Sequence, residues 1–212
     1  WPFRLGYDEK TYHLMPLPST KFHYRIIVMI RVFLGLIFFT AGMSKLYFEH
    51  QFPGVIGPVW LEERLAEHDL GMYARFIAGS QIIAGLLLFT QRFSTLGAIL
   101  TFPIILNIFM VTVSIKWQGT PYVNFFLLSL NAWLLAYDYP KLKFILADVT
   151  RDIRPIRLKR DNQKADIIWG LSALAIILSV PLSYGNTILA WIVCGAAVIV
   201  IIVNQLVHQK KE

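Results

Sequence analysis

Two basic side chains, Arg31 and Lys45, lie within one apolar stretch long enough to cross a bilayer, Ile26 to Phe48. Charge at that depth is costly, so an ionisable residue there faces protein or a polar cavity and marks a site worth reading. The series Arg31, Gly35, Phe38, Gly42, Lys45 advances by four, three, four and three residues. An α-helix sets all five on one face, and that face is expected to look into protein. Further along, Arg75, Gln81, Asn107, Asn124 and Asn131 are polar side chains inside apolar stretches. The chemistry open to this set is buried ion pairing and hydrogen bonding, either between helices or to a ligand.

Other chemistries are excluded by what the chain lacks. Cys194 is the sole cysteine, so an intrachain dithiol or disulfide is ruled out and the residue reads as a small packing group. His13, His23, His50, His68 and His208 lie outside or at the very ends of the apolar stretches. No facing pair can therefore ligate a haem within the bilayer. Metal-ligand spacings, phosphate-binding loops, dinucleotide fingerprints and nucleophile elbows are missing as well. A redox role would need a diffusing quinone or a partner's cofactor.

The elements that position these residues follow from composition. The 212 residues are 56% hydrophobic and 16% charged, with a mean hydropathy of +0.56, outside the range of soluble domains. Taking roughly 20 apolar residues per crossing, six spans are expected at 26–48, 72–90, 95–115, 122–137, 166–184 and 186–207. None alternates with period two, so the fold expected is all-α and a membrane barrel is not. Polar residues concentrate in the first four spans. The expected organisation is an N-terminal segment 1–25, a four-helix core 26–137, a basic loop 138–165, a C-terminal helix pair 166–207 and a tail 208–212. No signal-peptide stretch precedes the first span in this sequence, which opens on Trp1.

Orientation follows from Lys and Arg near the span ends. Four precede the first span, Arg92 lies between the second and third, eight fall between Lys141 and Lys164, and Lys210 and Lys211 end the chain. These fifteen of the 20 basic residues share one side if there are six spans, which places both termini in the cytoplasm. Basic residues thus belong to membrane loops, and no nucleic-acid partner is expected.

Local expectations are specific. Arg31 needs a carboxylate near the cytoplasmic end of a neighbouring helix, and Asp138 is the sole carboxylate between Asp69 and Asp148. Lys45, at the opposite end of its helix, is expected to snorkel to the interface or pair with Glu49 one turn later. Gly35, Gly42, Gly79, Gly85 and Gly97 are spaced for close helix contact. From Pro58 to Gly71 a short amphipathic helix is expected, with Pro58 in its first turn, Glu62 and Glu63 at the positive dipole end, Trp60, Leu61 and Leu65 against the bundle or lipid, and Gly71 at its stop.

The runs RVFLGLIFFTAGMSKL (Arg31 to Leu46), FIAGSQIIAGLLLF (Phe76 to Phe89) and QRFSTLGAIL (Gln91 to Leu100) resemble the DoxX family of small bacterial membrane proteins. In that family an Arg opens the first helix, a Gly-x-x-Lys closes it, and a polar residue precedes a Gly-Leu-Leu-Leu run in the second. Gly42, Lys45, Gly85, Leu86, Leu87 and Leu88 match, and the likeness covers residues 25–137. The sequence departs from the family at Gln81, where relatives usually carry Glu, and in its two extra C-terminal spans.

The resemblance implies an accessory subunit of a quinone-linked redox complex in the bacterial inner membrane, without catalysis by this chain alone. Its expected partners are membrane lipids and other subunits. In that reading Arg31, Gln81 and Asn107 edge an apolar cavity for a quinone or lipid, and Lys45 and Asp138 are structural. Alternatively these groups satisfy one another as interhelical hydrogen bonds, at about 0.6 kcal/mol each, in a purely scaffolding subunit. Solute transport is the third reading. Transporters show matched broken helices, whereas Pro103 and Pro181 do not occupy matching positions; a continuous polar path between the two faces would favour it.

Overall fold

Long apolar runs interrupted by short polar turns can satisfy their backbones in lipid only as helices, and helices account for the fold. A computed structural model of the chain describes residues 21–57, 61–146 and 163–209. It comprises α1 (Lys21–Leu46), a 3₁₀ turn (Phe48–His50), α2 (Leu61–Ala66), α3 (Gly71–Phe89), α4 (Ser94–Ser114), α5 (Thr120–Leu146), α6 (Gln163–Ser183) and α7 (Thr187–Gln209). Among the described residues, α1, α3, α4, α6 and α7 are long and apolar enough to cross a membrane. The chain is a multi-pass all-α membrane protein.

The fourth expected span, 122–137, is the one the structure changes most. α5 runs to Leu146, past Pro140, and its 27 residues reach about 40 Å at 1.5 Å per residue. It stands apart from the five more apolar helices because Asn124, Asn131 and Asp138 interrupt its buried face. Among its described side chains Asn124, Leu127, Asn131, Leu134 and Asp138 are buried, while Phe125, Phe126 and Trp133 point outward. Polar residues inside and large apolar ones outside is the arrangement a lipid solvent selects.

α1 and α3 form the antiparallel centre of the molecule. A Cβ on Gly85 would stand 2.3 Å from the Phe39 nitrogen and one on Gly35 2.4 Å from the Phe89 nitrogen, so the two backbones touch where these glycines face each other. Gly42 meets the carbonyl of Ala78, and Gly97 brings α4 against Leu88 in the same way. Gly79 differs from expectation: a Cβ there would meet no atom of another element within 4 Å.

Two cores flank this centre. Leu34, Phe38, Ala84 and Leu88 pack with Ile105 of α4 and Leu134 of α5. On the other side Phe39, Met43, Ile82 and Leu86 pack with Ile176 of α6 and Ala197 of α7. The C-terminal pair is therefore fastened to α1 and α3 rather than hung from the end of a four-helix unit. Tyr47 donates to Ser179 at 2.8 Å at one end of the seam. At the other, Arg92 bonds Asp166, with Nε at 2.9 Å, and Trp169 donates to Thr90 at 3.1 Å.

The amphipathic segment is shorter than expected. α2 has six residues, and its end is closed by Leu70 N–H to the Leu65 carbonyl and Asp69 N–H to the Ala66 carbonyl, with Asp69 in the left-handed region at φ 60°. This is a Schellman closure in which Asp69 takes the position usually held by Gly. Gly71 opens α3 instead of stopping α2. Pro58 and Trp60, the segment 1–20, most of the basic loop and residues 210–212 lie outside the described residues.

Candidate functional site

The buried polar groups gather at two levels of the bundle. At the first, Arg31 of α1 donates through Nη2 to Asp138 Oδ2 of α5 at 2.6 Å, with the two side chains 7% and 0% exposed. Thr95 of α4 donates to the same oxygen at 3.1 Å. The ion pair expected from the sequence is present, and it ties three helices together. Breaking such a pair from one side leaves a charge in a medium that cannot solvate it.

At the second level the structure corrects the expectation for Lys45. Its side chain neither snorkels nor pairs with Glu49; it is buried and donates through Nζ to Gln81 Oε1 of α3 at 2.9 Å. Glu49 lies beyond the helix end in the left-handed region, φ 49°, and accepts from Gln51. The glycine contacts explain the difference, because they draw α3 against α1 closely enough for Gln81 to reach the ammonium. An ammonium cannot accept, so the Gln81 carbonyl must face it, and the Gln81 amide NH2 remains a donor.

Lys45, Gln81 and Asn124 line a cavity of about 130 Å³. Its other walls include Ile37, Phe38, Ile108 and Leu127. Asn124 Nδ2 stands 3.5 Å from Thr112 Oγ1, at the outer limit for a hydrogen bond. A second cavity, of about 20 Å³, lies against the other side of Lys45 between α3 and α4 and includes Tyr73 and Asn107.

The trio expected to share one cavity is thus divided. Gln81 lines the larger cavity and Asn107 the smaller, where it accepts from the Tyr73 hydroxyl. Arg31 reaches neither, since it precedes Lys45 by fourteen residues of one helix, about 21 Å. What sequence reasoning missed is that Asn124 belongs with Lys45 and Gln81. The signal lies in the seven-residue recurrence of Asn124, Asn131 and Asp138, which puts all three on one helical face.

Asn131 is fully buried midway between the two levels, and neither its Oδ1 nor its Nδ2 has a hydrogen-bond partner. Thr101 Oγ1 and Arg31 Nε share that condition. A buried polar atom without a partner costs about 1–3 kcal/mol. Leu127 and Leu134 fill the positions between the α5 polar residues, so the inner face alternates polar and apolar rungs and presents no unbroken polar surface.

The remaining candidates are structural in their surroundings. Cys194 is buried in the second core, and Arg75 is exposed. Among the described residues, no three His, Cys, Asp or Glu side chains gather where a metal could be held. No family model matches this chain, and neither a curated protein nor a solved structure does.

Proposed function

We propose that this chain is a DoxX-like accessory subunit of a bacterial inner-membrane redox complex, and that its four-helix core receives the ring of a membrane quinone at Lys45, Gln81 and Asn124. The observation that carries the reading is the cavity of about 130 Å³ with apolar walls and these three polar groups on its lining. Apolar cavities of about 150 Å³ accept a benzene ring, so the size suits one six-membered ring. Quinone carbonyls accept only, and Lys45 Nζ with the amide nitrogens of Gln81 and Asn124 are donors. Arg31 and Asp138 take no part in this site.

The test is composition. Protein purified in mild detergent and extracted with organic solvent is expected to yield close to one quinone per chain, and Gln81→Leu, which removes a donor while keeping the volume, less than a tenth of that. A wild-type extract without quinone overturns the reading. It would favour the scaffolding alternative, to which the Arg31–Asp138, Lys45–Gln81 and Tyr73–Asn107 contacts lend support by satisfying one another.

Both termini and the basic loop belong to the cytoplasmic side in this reading, by the placement of fifteen basic residues. Cysteines introduced between Asp138 and Lys164 are then labelled by impermeant thiol reagents only after the membrane is opened, and the native Cys194 is too buried to interfere. Labelling in intact cells would reverse the orientation.

A further inference from the structure

Part of the wall of the Lys45 cavity is supplied by no helix. After α1 the chain turns through Glu49 and His50, both in the left-handed region at φ 49° and 56°, a conformation that L side chains resist. His50 Nδ1 meets the Ser44 carbonyl at 3.0 Å, and residues 51–57 then run back along α1. A Cβ on Gly54 would stand 3.3 Å from the Ser44 Cβ, and one on Gly57 3.6 Å from the Ala41 Cβ. Between them Val55 N–H donates to Thr40 Oγ1 at 3.3 Å. Thr40 is six residues before the end of α1, about 9 Å at 1.5 Å per residue. Non-helical backbone at such a depth is tolerated where it is buried in protein or lines a cavity.

This segment lines one. Ile56 and Gly57 belong to the wall of the cavity of about 130 Å³, together with Thr120 and Val123 at the start of α5. Phe52 lies on the other side of α1, in the second core, stacked on Trp191 of α7 and tilted against Tyr47. Ile56 packs against the first core. Residues 51–57 therefore straddle α1, held by aromatic contacts at Phe52 and only lightly at Ile56. Among the described residues, the Val55 bond to Thr40 is the one hydrogen bond that 52–57 make. Gly57, at φ 115°, takes a backbone conformation that suits glycine. Few hydrogen bonds and an exposed backbone mark the parts of a protein that open locally.

We infer that residues 51–57 are a strap that gates the Lys45 cavity, with Phe52 as its anchor and Ile56 as its moving plug. Gly54 and Gly57 bracket the part that moves. Lifting Val55 and Ile56 breaks one hydrogen bond and opens the cavity at the end of the bundle where α1 stops and α5 begins. A flat ring then enters or leaves without parting α1 from α3, whose backbones touch at Gly35 and Gly85. The inference rests on the reading of this cavity as a ligand site, and it concerns how the site is reached, whichever ring fills it.

The test locks the strap and reads access to Lys45. The full chain, washed free of lipid and quinone in mild detergent, is treated with formaldehyde and a borane reductant, and methylation is followed residue by residue by mass spectrometry. Ser44→Cys with Gly54→Cys places two thiols near the Cβ spacing of a disulfide, about 3.5–4.5 Å. Methylation of Lys45 is expected to be at least tenfold slower in the oxidised variant than in the same variant after reduction, while Lys116, exposed beyond α4, reacts equally in both. Ile56→Ala removes the plug and is expected to raise the Lys45 rate at least threefold over wild type, which keeps the test decisive if the disulfide does not close. Equal Lys45 rates in the oxidised and reduced forms overturn the inference, as does an Ile56→Ala rate equal to wild type or a Lys45 that stays unmodified in the reduced protein. Quinone content of the purified protein is a separate measurement. Protection of Lys45 on oxidation in a protein that yields no quinone would sustain the gate and sink the quinone reading, and bound quinone with equal Lys45 rates would do the reverse.

Discussion

Arg31→Ala is expected to lower the stability of the bundle by about 3–5 kcal/mol, the usual effect of removing one side of a buried ion pair. The cause is the carboxylate left behind. Asp138 is 0% exposed, and without the guanidinium it keeps the Thr95 hydroxyl but loses its charge-assisted bond at 2.6 Å. Unfolding in mild detergent by titration with a denaturing detergent measures the loss. The paired change Arg31→Met with Asp138→Leu should recover most of it, because well-packed apolar side chains can replace a buried pair without net cost. A double variant no more stable than Arg31→Ala alone would show that the carboxylate is not the source.

Gly85→Leu is expected to have the largest effect of any single substitution in the α1–α3 contact. Its Cβ alone would stand 2.3 Å from the Phe39 nitrogen and 2.8 Å from the Gly35 carbonyl oxygen. Those atoms are backbone and cannot rotate aside, so the helices must separate along their length. Overpacking ordinarily costs about 1–3 kcal/mol and sometimes more; here the upper end or beyond is expected, because separation also draws Gln81 from Lys45. Gly79→Ala is the control. A Cβ added there would meet nothing within 4 Å, and Ala favours a helix over Gly by about 1 kcal/mol, so this variant should unfold no sooner than wild type. Equal stability of Gly85→Leu and wild type would mean that α1 and α3 are not in backbone contact.

How much of this was legible in the sequence depended on how local the cause was. The stripe Arg31, Gly35, Phe38, Gly42, Lys45 could be read directly, and all five residues are buried in the fold. The Arg31 partner could be read too, since a charge in lipid needs a counter-charge and Asp138 was the one carboxylate near enough. Elimination of that kind works when candidates are few. It failed for Lys45, where Glu49 was close in sequence but Gln81, on another helix, was close in space.

Composition, the lengths of the apolar runs and helical periodicity by themselves determined that the chain is an all-α multi-pass membrane protein, and which face of α1 turns inward. Those properties arise from single segments meeting a solvent. Which partner Lys45 takes, that Asn124 joins Gln81 while Asn107 and Arg31 do not, that α6 and α7 share a core with α1 and α3, and that Asn131 is buried without a partner were decided by the tertiary structure alone. Each depends on how closely two helices approach and in what register. Glycine contacts such as Gly35 against Gly85 set that distance, and no segment read separately contains it.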